Sequence, residues 1–353
     1  MKLAAIAAVA AAAALLAPVS ARAGIDENVW AHAIRAGTPD PHQDVYEAEL
    51  RSGDDLTAQA TAAGAARETI RALVQHAATA YRDASRAKPD EPEPYYRLGR
   101  LLYSFYFECS VRGNRSPLCF PDPSYFDRAH AEEIIAAWDT FEQLAPLDPR
   151  LDAPVPSPLG IDFDLLFERA VLHTRMADRP GLEAAARDYE KVLARSDLND
   201  DKEVLLGNLA ETYMMLDRLD ESIEAYRQAV RSGARSETAY GLAVALDRDE
   251  RGEQAQAVIL AQGAPAVAEF ERRVREGESF FVPAGEEYYY FALIYESFGL
   301  EESAIEYWQR YIQSGAHPEF QPRAKQHLDT LFANRKKHLK DSKVEAPWRD
   351  ALP

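Results

Sequence analysis

Apolar and polar positions recur along this chain with the spacing of amphipathic helices, most clearly between Leu206 and Val230. Residues three or four positions apart share a helix face, so small residues and aromatics at that spacing predict closely packed helices. The pattern returns about 33 residues later and again, after an insertion, within residues 285–316. The corresponding positions are Leu209, Ala210, Tyr213, Ser222, Tyr226 and Ala229; then Leu242, Ala243, Leu246, Ala255 and Ile259; then Phe291, Ala292, Tyr295, Gly299, Ala304, Trp308 and Tyr311.

The N-terminal part carries weaker helical patterns. Residues 24–53 predict an extension with short helices, the last of which runs from His42 and ends at Ser52-Gly53. Residues 55–88 have a continuous apolar stripe, which predicts one long helix or a helix pair bent near Gly64. The second half of this stretch matches the second helix of a repeat, so we expect a half-repeat here.

The remaining chain divides around the repeats. About six helix pairs are predicted over residues 54–316, with insertions near residues 109–125 and 263–284. An amphipathic C-terminal capping helix is expected within residues 317–343, followed by a loose tail over residues 344–353. Because no segment of useful length alternates with the period of a strand, the predicted fold class is all-α.

The repeat resembles the tetratricopeptide repeat (TPR). Its period and its order of small and aromatic residues match the family pattern W-x2-L-G-x2-Y…A-x3-F…P. The match is most specific near residues 203–235 and 285–316, and the second and third units are degenerate and interrupted. The resemblance implies an open right-handed superhelix of stacked antiparallel helix pairs, a fold that mostly binds other proteins.

The first 23 residues resemble an export signal. Lys2 precedes an apolar stretch from Leu3 to Ala17, and small-residue cleavage signals end at Ala21 and Ala23. The apolar stretch is shorter than the roughly 20 residues that a membrane-spanning helix needs. We therefore predict a cleaved signal peptide and a periplasmic or secreted protein; an uncleaved anchor helix is the alternative.

The charge balance limits the class of partner. The chain has 58 acidic and 40 basic residues and a formal net charge of −18. Such a chain repels nucleic-acid phosphates and anionic lipid headgroups. We therefore expect no nucleic-acid partner. No later segment has the length and hydrophobicity of a membrane helix, so we expect no membrane span in the mature chain.

The two cysteines, Cys109 and Cys119, bracket a turn-rich loop in the first predicted insertion. Exported proteins form disulfides readily, so we predict a structural bond that stabilises the fold by roughly 2–3 kcal/mol. A C-x-x-C-like redox centre is the alternative, and the long separation of the two cysteines does not suit it.

Residue patterns for catalysis, metals and cofactors are weak. The histidines form neither H-E-x-x-H nor a zinc-type cluster with cysteine, and no nucleophile elbow or Gly-rich nucleotide loop is present. Asp197, Asn199 and Asp201 imitate the start of a calcium loop, but the closing glutamate is missing, so an acidic helix cap is favoured. The sequence predicts no enzyme, no cofactor and no metal site.

The resemblance implies that the first helix of each pair lines a concave face. The positions carried over residue by residue include Gly207 and Glu237, and the predicted partner-binding set is Tyr96, Arg100, Tyr103, Glu211, Met214, Tyr240, Asp247, Tyr289 and Glu296. Only Arg100 among them could bind a carboxylate, which disfavours a chaperone-tail clamp. The alternative is that the tyrosines pack against the next repeat.

We therefore predict a non-enzymatic scaffold that binds a basic or amphipathic protein or peptide segment through its concave face. The alternative function is an architectural accessory subunit of an envelope enzyme, transport or secretion complex. A loop at Phe280-Phe281-Val282-Pro283 either anchors a partner or tucks inward, and inward packing is favoured because large exposed apolar patches are rare.

Overall fold

The computed structural model describes residues 40–62, 66–108, 118, 126–156, 162–195, 202–233, 235–279 and 281–344. Within these ranges the protein is an all-α, TPR-like solenoid of packed helix pairs, as predicted. The first pairs are α1 (Gln43–Thr61) with α2 (Arg67–Ala87), α3 (Glu93–Tyr106) with α4 (Arg128–Leu144), and α5 (Leu165–Met176) with α6 (Arg179–Leu193). They are followed by α7 (Lys202–Met215) with α8 (Leu219–Arg231), α9 (Ser236–Arg248) with α10 (Gly252–Arg275), α11 (Glu287–Ser297) with α12 (Glu301–Ser314), and the single helix α13 (Gln321–Val344).

The two helices of each pair pack on each other, and successive pairs contact through at least one helix of each, so the buried side chains form one continuous core from Ala60 to Leu331. Aspartate side chains cap the starts of three helices in the middle of the array. Asp164 accepts a hydrogen bond from the backbone N–H of Phe167, and Asp178 accepts one from that of Gly181. These carboxylates satisfy donors that the first helical turn leaves unpaired. Stability in such an array is spread along neighbouring pairs.

Glycines allow the helices to approach closely where aromatic rings fill the contact. A Cβ atom at Gly53 would lie 2.3 Å from the Tyr81 ring, and one at Gly99 would lie 2.2 Å from Trp138 Nε1. Gly241 has the same relation to Tyr226 of the preceding pair, at 2.6 Å. These distances leave no room for a methyl group, so the spacing of neighbouring helices depends on the missing side chain.

The predicted helix end at Ser52-Gly53 is wrong. Helix α1 runs without interruption from Gln43 to Thr61 and pairs with α2, so the first unit is a complete helix pair. Gly53 lies against Tyr81, and the Tyr81 hydroxyl donates to Asp54 Oδ1 over 2.9 Å. Burial of the Tyr81 ring outweighs the local helix-stopping tendency of the sequence.

Two short features separate the array from an ideal repeat. Val155–Pro156 and Asp162–Phe163 form a two-residue antiparallel strand pair between α4 and α5, which the sequence did not predict because it is too short to show alternation. Helix α10 bends at Gly263, which adopts a left-handed φ of 77°. The helix then resumes through Pro265 at its first turn, so the predicted helical stretch from Pro265 is present.

Several predictions concern residues outside the described ranges. They are the export signal within residues 1–23, the Cys109–Cys119 disulfide, the Asp197–Asp201 string and Phe280. Among the helices that the structure describes, none is long and apolar enough to cross a membrane.

We expect Gly99→Ala to destabilise the protein by about 1–3 kcal/mol, although alanine is the better helix former, because the new methyl group overlaps the fully buried Trp138. Gly207→Ala is the matched control. Its Cβ atom would meet only Thr238, at 3.7 Å, so this change should stabilise helix α7 by about 0.5–1 kcal/mol. Urea unfolding midpoints measure both effects, and a higher midpoint for Gly99→Ala would contradict the packing argument.

Candidate functional site

Most of the residues predicted to line the concave face are buried. Three of the tyrosines, Tyr96, Tyr240 and Tyr289, are at most 3% exposed, so packing within the array is the alternative that the structure adopts. The other fully enclosed members of the set are Tyr103, Met214 and Asp247. Arg100, Glu211 and Glu296 are half-buried and keep some accessible surface.

Tyr96, Arg100 and Tyr103 lie together on α3. The guanidinium of Arg150 lies over the Tyr96 ring at 4.0 Å, and the Tyr103 hydroxyl donates to Glu168. Burial raises the pKa of Glu168 to about 8, although the bond from Tyr103 opposes this rise. These contacts belong to packing between α3 and its neighbours.

Asp247, Tyr289 and Glu296 belong to a polar network that joins α9 and α11 to helix α13. The Tyr289 hydroxyl donates to Asp247 Oδ2 over 2.7 Å, and Arg323 of α13 binds Asp247 Oδ1 at 2.6 Å. His327 of α13 lies 2.9 Å from Asp247 Oδ2 through Nε2 and 3.1 Å from Glu296 Oε1 through Nδ1. The C-terminal helix therefore covers these predicted groove residues.

The two carboxylates hold His327 in its protonated form. Burial opposes the charged ring, but the hydrogen bonds with Asp247 and Glu296 outweigh it and raise the pKa of His327 to about 9. Burial also disfavours the charged Asp247, but His327 and Arg323 lower the pKa of Asp247 to about 2. The Trp308 indole donates to Glu296 and stacks on His327, with ring centres 4.6 Å apart.

A pocket of about 320 Å³ opens between the first helices of three successive pairs. We call it the α5/α7/α9 pocket. Helix α7 supplies Gly207 and Glu211, and α9 supplies Glu237, so three positions carried over from the TPR resemblance do line it. Its other lining residues are Val171, Thr174, Tyr189, Glu203, Val204, Asn208, Tyr226, Arg235, Thr238, Phe270, Glu278, Ser279, Phe281, Val282 and Tyr290.

Aromatic side chains from the second predicted insertion close one side of this pocket. Phe270, in the part of α10 beyond the bend, packs on Phe281 and Tyr290, with ring centres 6.1 and 6.2 Å away. Phe281 also contacts Tyr290 at 5.1 Å, so inward packing of this loop is confirmed for Phe281. The second insertion thus supplies a wall of the pocket.

The acidic residues of the pocket differ in their partners. Glu237 accepts a hydrogen bond from Ser279 and forms an ion pair with Arg273 at 3.1 Å. Glu278 also binds Arg273, at 3.2 Å. Glu211 instead accepts the hydroxyls of two tyrosines and has no cationic partner among the described residues.

The sequence did not indicate the two tyrosines that bind Glu211. Tyr226 occupies a packing position of the repeat, and its ring does pack against Gly241 while its hydroxyl reaches Glu211. Tyr290 lies within the run Glu287-Tyr288-Tyr289-Tyr290-Phe291, where the sequence cannot show which ring faces which neighbour. The described residues contain no group of three or more His, Cys, Asp or Glu arranged to hold a metal ion.

Comparison with known proteins gives a distant structural likeness only. No protein-family model matches the sequence, and no curated protein matches it. Among solved structures, the chain is similar to residues 41 to the end of MamA from Desulfovibrio magneticus RS-1, with 16% identity and a TM-score of 0.37. The similarity covers 57% of this chain and 88% of that chain. A likeness this low carries no information about the function of this chain.

We expect the attachment of α13 to weaken at alkaline pH. The interactions with Asp247 and Glu296 that raise the pKa of His327 stabilise the fold fully below pH 6.5. This stabilisation is lost as the pH rises through about 9 and His327 loses its proton. The contribution of Asp247 is present above pH 3.8 and is lost as the pH falls through about 2. Hydrogen exchange of the α13 amides, measured from pH 6 to 10, should report the alkaline loss.

His327→Gln should lower the protection of the α13 amides from hydrogen exchange at neutral pH. It should also remove most of the loss of protection that the wild-type protein shows between pH 6 and 10. His76→Gln is the control, because His76 is exposed on α2 and far along the chain from α13. If wild-type and His327→Gln proteins show the same pH dependence of exchange, the ion pairs do not fasten the helix.

Proposed function

We propose that this protein is an exported, non-enzymatic scaffold that binds an extended segment of a protein partner in the α5/α7/α9 pocket. The observation that carries the proposal is the pocket itself, which is walled by the first helices of three successive pairs. A helix-pair array supports such binding because neighbouring repeats together form a surface longer than any single helix.

The shape of the pocket supports a side-chain anchor of a larger ligand. A volume of about 320 Å³ lies at the lower end of the range for small-molecule sites. Gly207 leaves space between α7 and α9, since Thr238 is the nearest residue to its missing side chain. Val204 is 45% exposed at the pocket, so an apolar contact surface continues outward.

The charge of the pocket supports a basic or amphipathic partner. Among the lining side chains that the structure describes, Arg235 is the one basic residue, against Glu203, Glu211, Glu237 and Glu278. The whole chain also has an acidic excess, which favours encounter with basic segments. Aromatic walls add contact area at low cost in side-chain entropy.

The periplasmic or secreted location is part of the proposal and is supported by the apolar stretch from Leu3 to Ala17 and the small residues that follow it. The proposed absence of catalysis is supported by the sequence, which carries no H-E-x-x-H motif, nucleophile elbow or Gly-rich nucleotide loop. Mass spectrometry of the mature N-terminus in the exported fraction tests the location.

Site-specific photo-crosslinking tests the binding face. We expect a photoreactive residue at Val204, in the pocket, to capture a discrete partner in native cells. The same residue at Leu260 of α10 should not, although Leu260 is also 45% exposed. Gly207→Leu fills the pocket and should lower the yield of the Val204 adduct by at least about ten-fold, because a side chain of the partner cannot enter a pocket that leucine already fills.

Adducts at Leu260 but not at Val204 would instead support the accessory-subunit function, in which second helices dock on a larger assembly. Val204 adducts that persist in folded Gly207→Leu protein would argue against the pocket as the binding site. Circular dichroism and the urea midpoint establish that the Gly207→Leu protein remains folded.

A further inference from the structure

Glu211 lies in the α5/α7/α9 pocket with one of its two oxygens already bound. The hydroxyl of Tyr226 donates to Oε2 over 2.5 Å, and that of Tyr290 donates to the same oxygen over 3.2 Å. Both tyrosines are almost fully buried, with 3% and 4% exposure. They therefore hold the carboxylate in a fixed position and leave Oε1 as its available acceptor.

Glu211 forms no ion pair with a described residue, although it acts electrostatically on His317 and Glu286. Glu237 and Glu278 are paired with Arg273, so these acidic residues have internal cations. The buried Arg248, which acts electrostatically on Tyr290, is bound to Glu286 at 2.6 Å. Glu211 thus differs from Glu237 and Glu278, since it has hydroxyl donors and no ion-pair partner among the described residues.

The pocket walls suit an aliphatic chain that ends in a cation. Tyr189, Phe270 and Phe281 provide aromatic surface, and Val171 provides an aliphatic contact. Rings of this kind bury methylene groups and attract a cation through their negative faces. Gly207 keeps the space between α7 and α9 free for such a side chain.

We propose that the α5/α7/α9 pocket binds the side chain of a lysine in an extended partner segment, with the ammonium group donating to Glu211 Oε1. The proposal rests on the proposed function and names the chemistry that this site recognises. Lysine fits better than arginine, because the two hydroxyls on Oε2 leave no pair of free oxygens for the forked guanidinium. An ammonium group is a compact charge that can use a single acceptor.

Binding of a minimal probe tests this assignment. The probe is Nα-acetyl-lysine N-methylamide, and the comparison compounds are its arginine, norleucine and Nε-acetyl-lysine analogues. In protein labelled with 3-fluorotyrosine, the 19F signals of Tyr226 and Tyr290 can be assigned with Tyr→Phe variants. We expect the lysine probe to shift these two signals saturably, and the uncharged analogues to bind about 10- to 100-fold more weakly.

Glu211→Gln should weaken the lysine probe by about 10- to 100-fold, because the amide keeps the shape of the side chain but removes its charge. Glu253→Gln is the matched control; it makes the same change in net charge at an exposed position of α10 and should leave binding unchanged. Unchanged affinity in folded Glu211→Gln protein, or equal binding of the norleucine analogue, would overturn the lysine assignment.

The Gly207→Leu protein separates the two proposals. If this variant loses the Val204 adduct while Glu211→Gln leaves probe affinity unchanged, the pocket binds its partner through another chemistry, and only the lysine assignment fails. If Gly207→Leu leaves both adduct and probe binding unchanged, the pocket is not the binding site and both proposals fail.

Discussion

The close approach of helices at glycine, with an aromatic ring filling the contact, is the constraint on which the rest of the structure depends. It recurs at Gly53 with Tyr81, at Gly99 with Trp138 and at Gly241 with Tyr226. A helix pair that cannot come this close cannot bury its apolar face on the next pair, and the array gains stability only through such neighbours. The contact of Gly241 with Tyr226 lies beside the pocket and sets the distance between α8 and α9, one of the first helices that line it.

Tyr226 connects this packing constraint with the proposed binding chemistry. Its ring occupies the space that Gly241 leaves, and its hydroxyl reaches Glu211 in the pocket. Tyr226 thus sets the position of the Glu211 carboxylate and also fixes the distance between α8 and α9. A site held in this way needs little reorganisation when a ligand enters, which lowers the entropic cost of binding.

The sequence predicted the repeated helix pairs well because their spacing is encoded locally, in small and aromatic residues that recur about every 33 positions. It failed at Ser52-Gly53, where a contact with Tyr81 of the next helix overrides local propensity. Through the TPR resemblance, the sequence also identified Gly207, Glu211 and Glu237, which line the pocket. It could not show that Asp247 and Tyr289 are covered, since Arg323 and His327, which bind Asp247, belong to α13, outside the repeat.

The bend at Gly263 has a consequence for how such a protein can diversify. A single residue in a left-handed conformation lets α10 serve two purposes along its length: the part before the bend completes a repeat, and the part after it carries Phe270 to the pocket. Phe270 also packs on Tyr240 of α9 and on Phe291 of α11, so substitutions beyond the bend change the pocket wall and the contacts between two neighbouring pairs together. Ligand preference and architectural integrity are then coupled traits, and a mutation or design that changes the first must preserve the second.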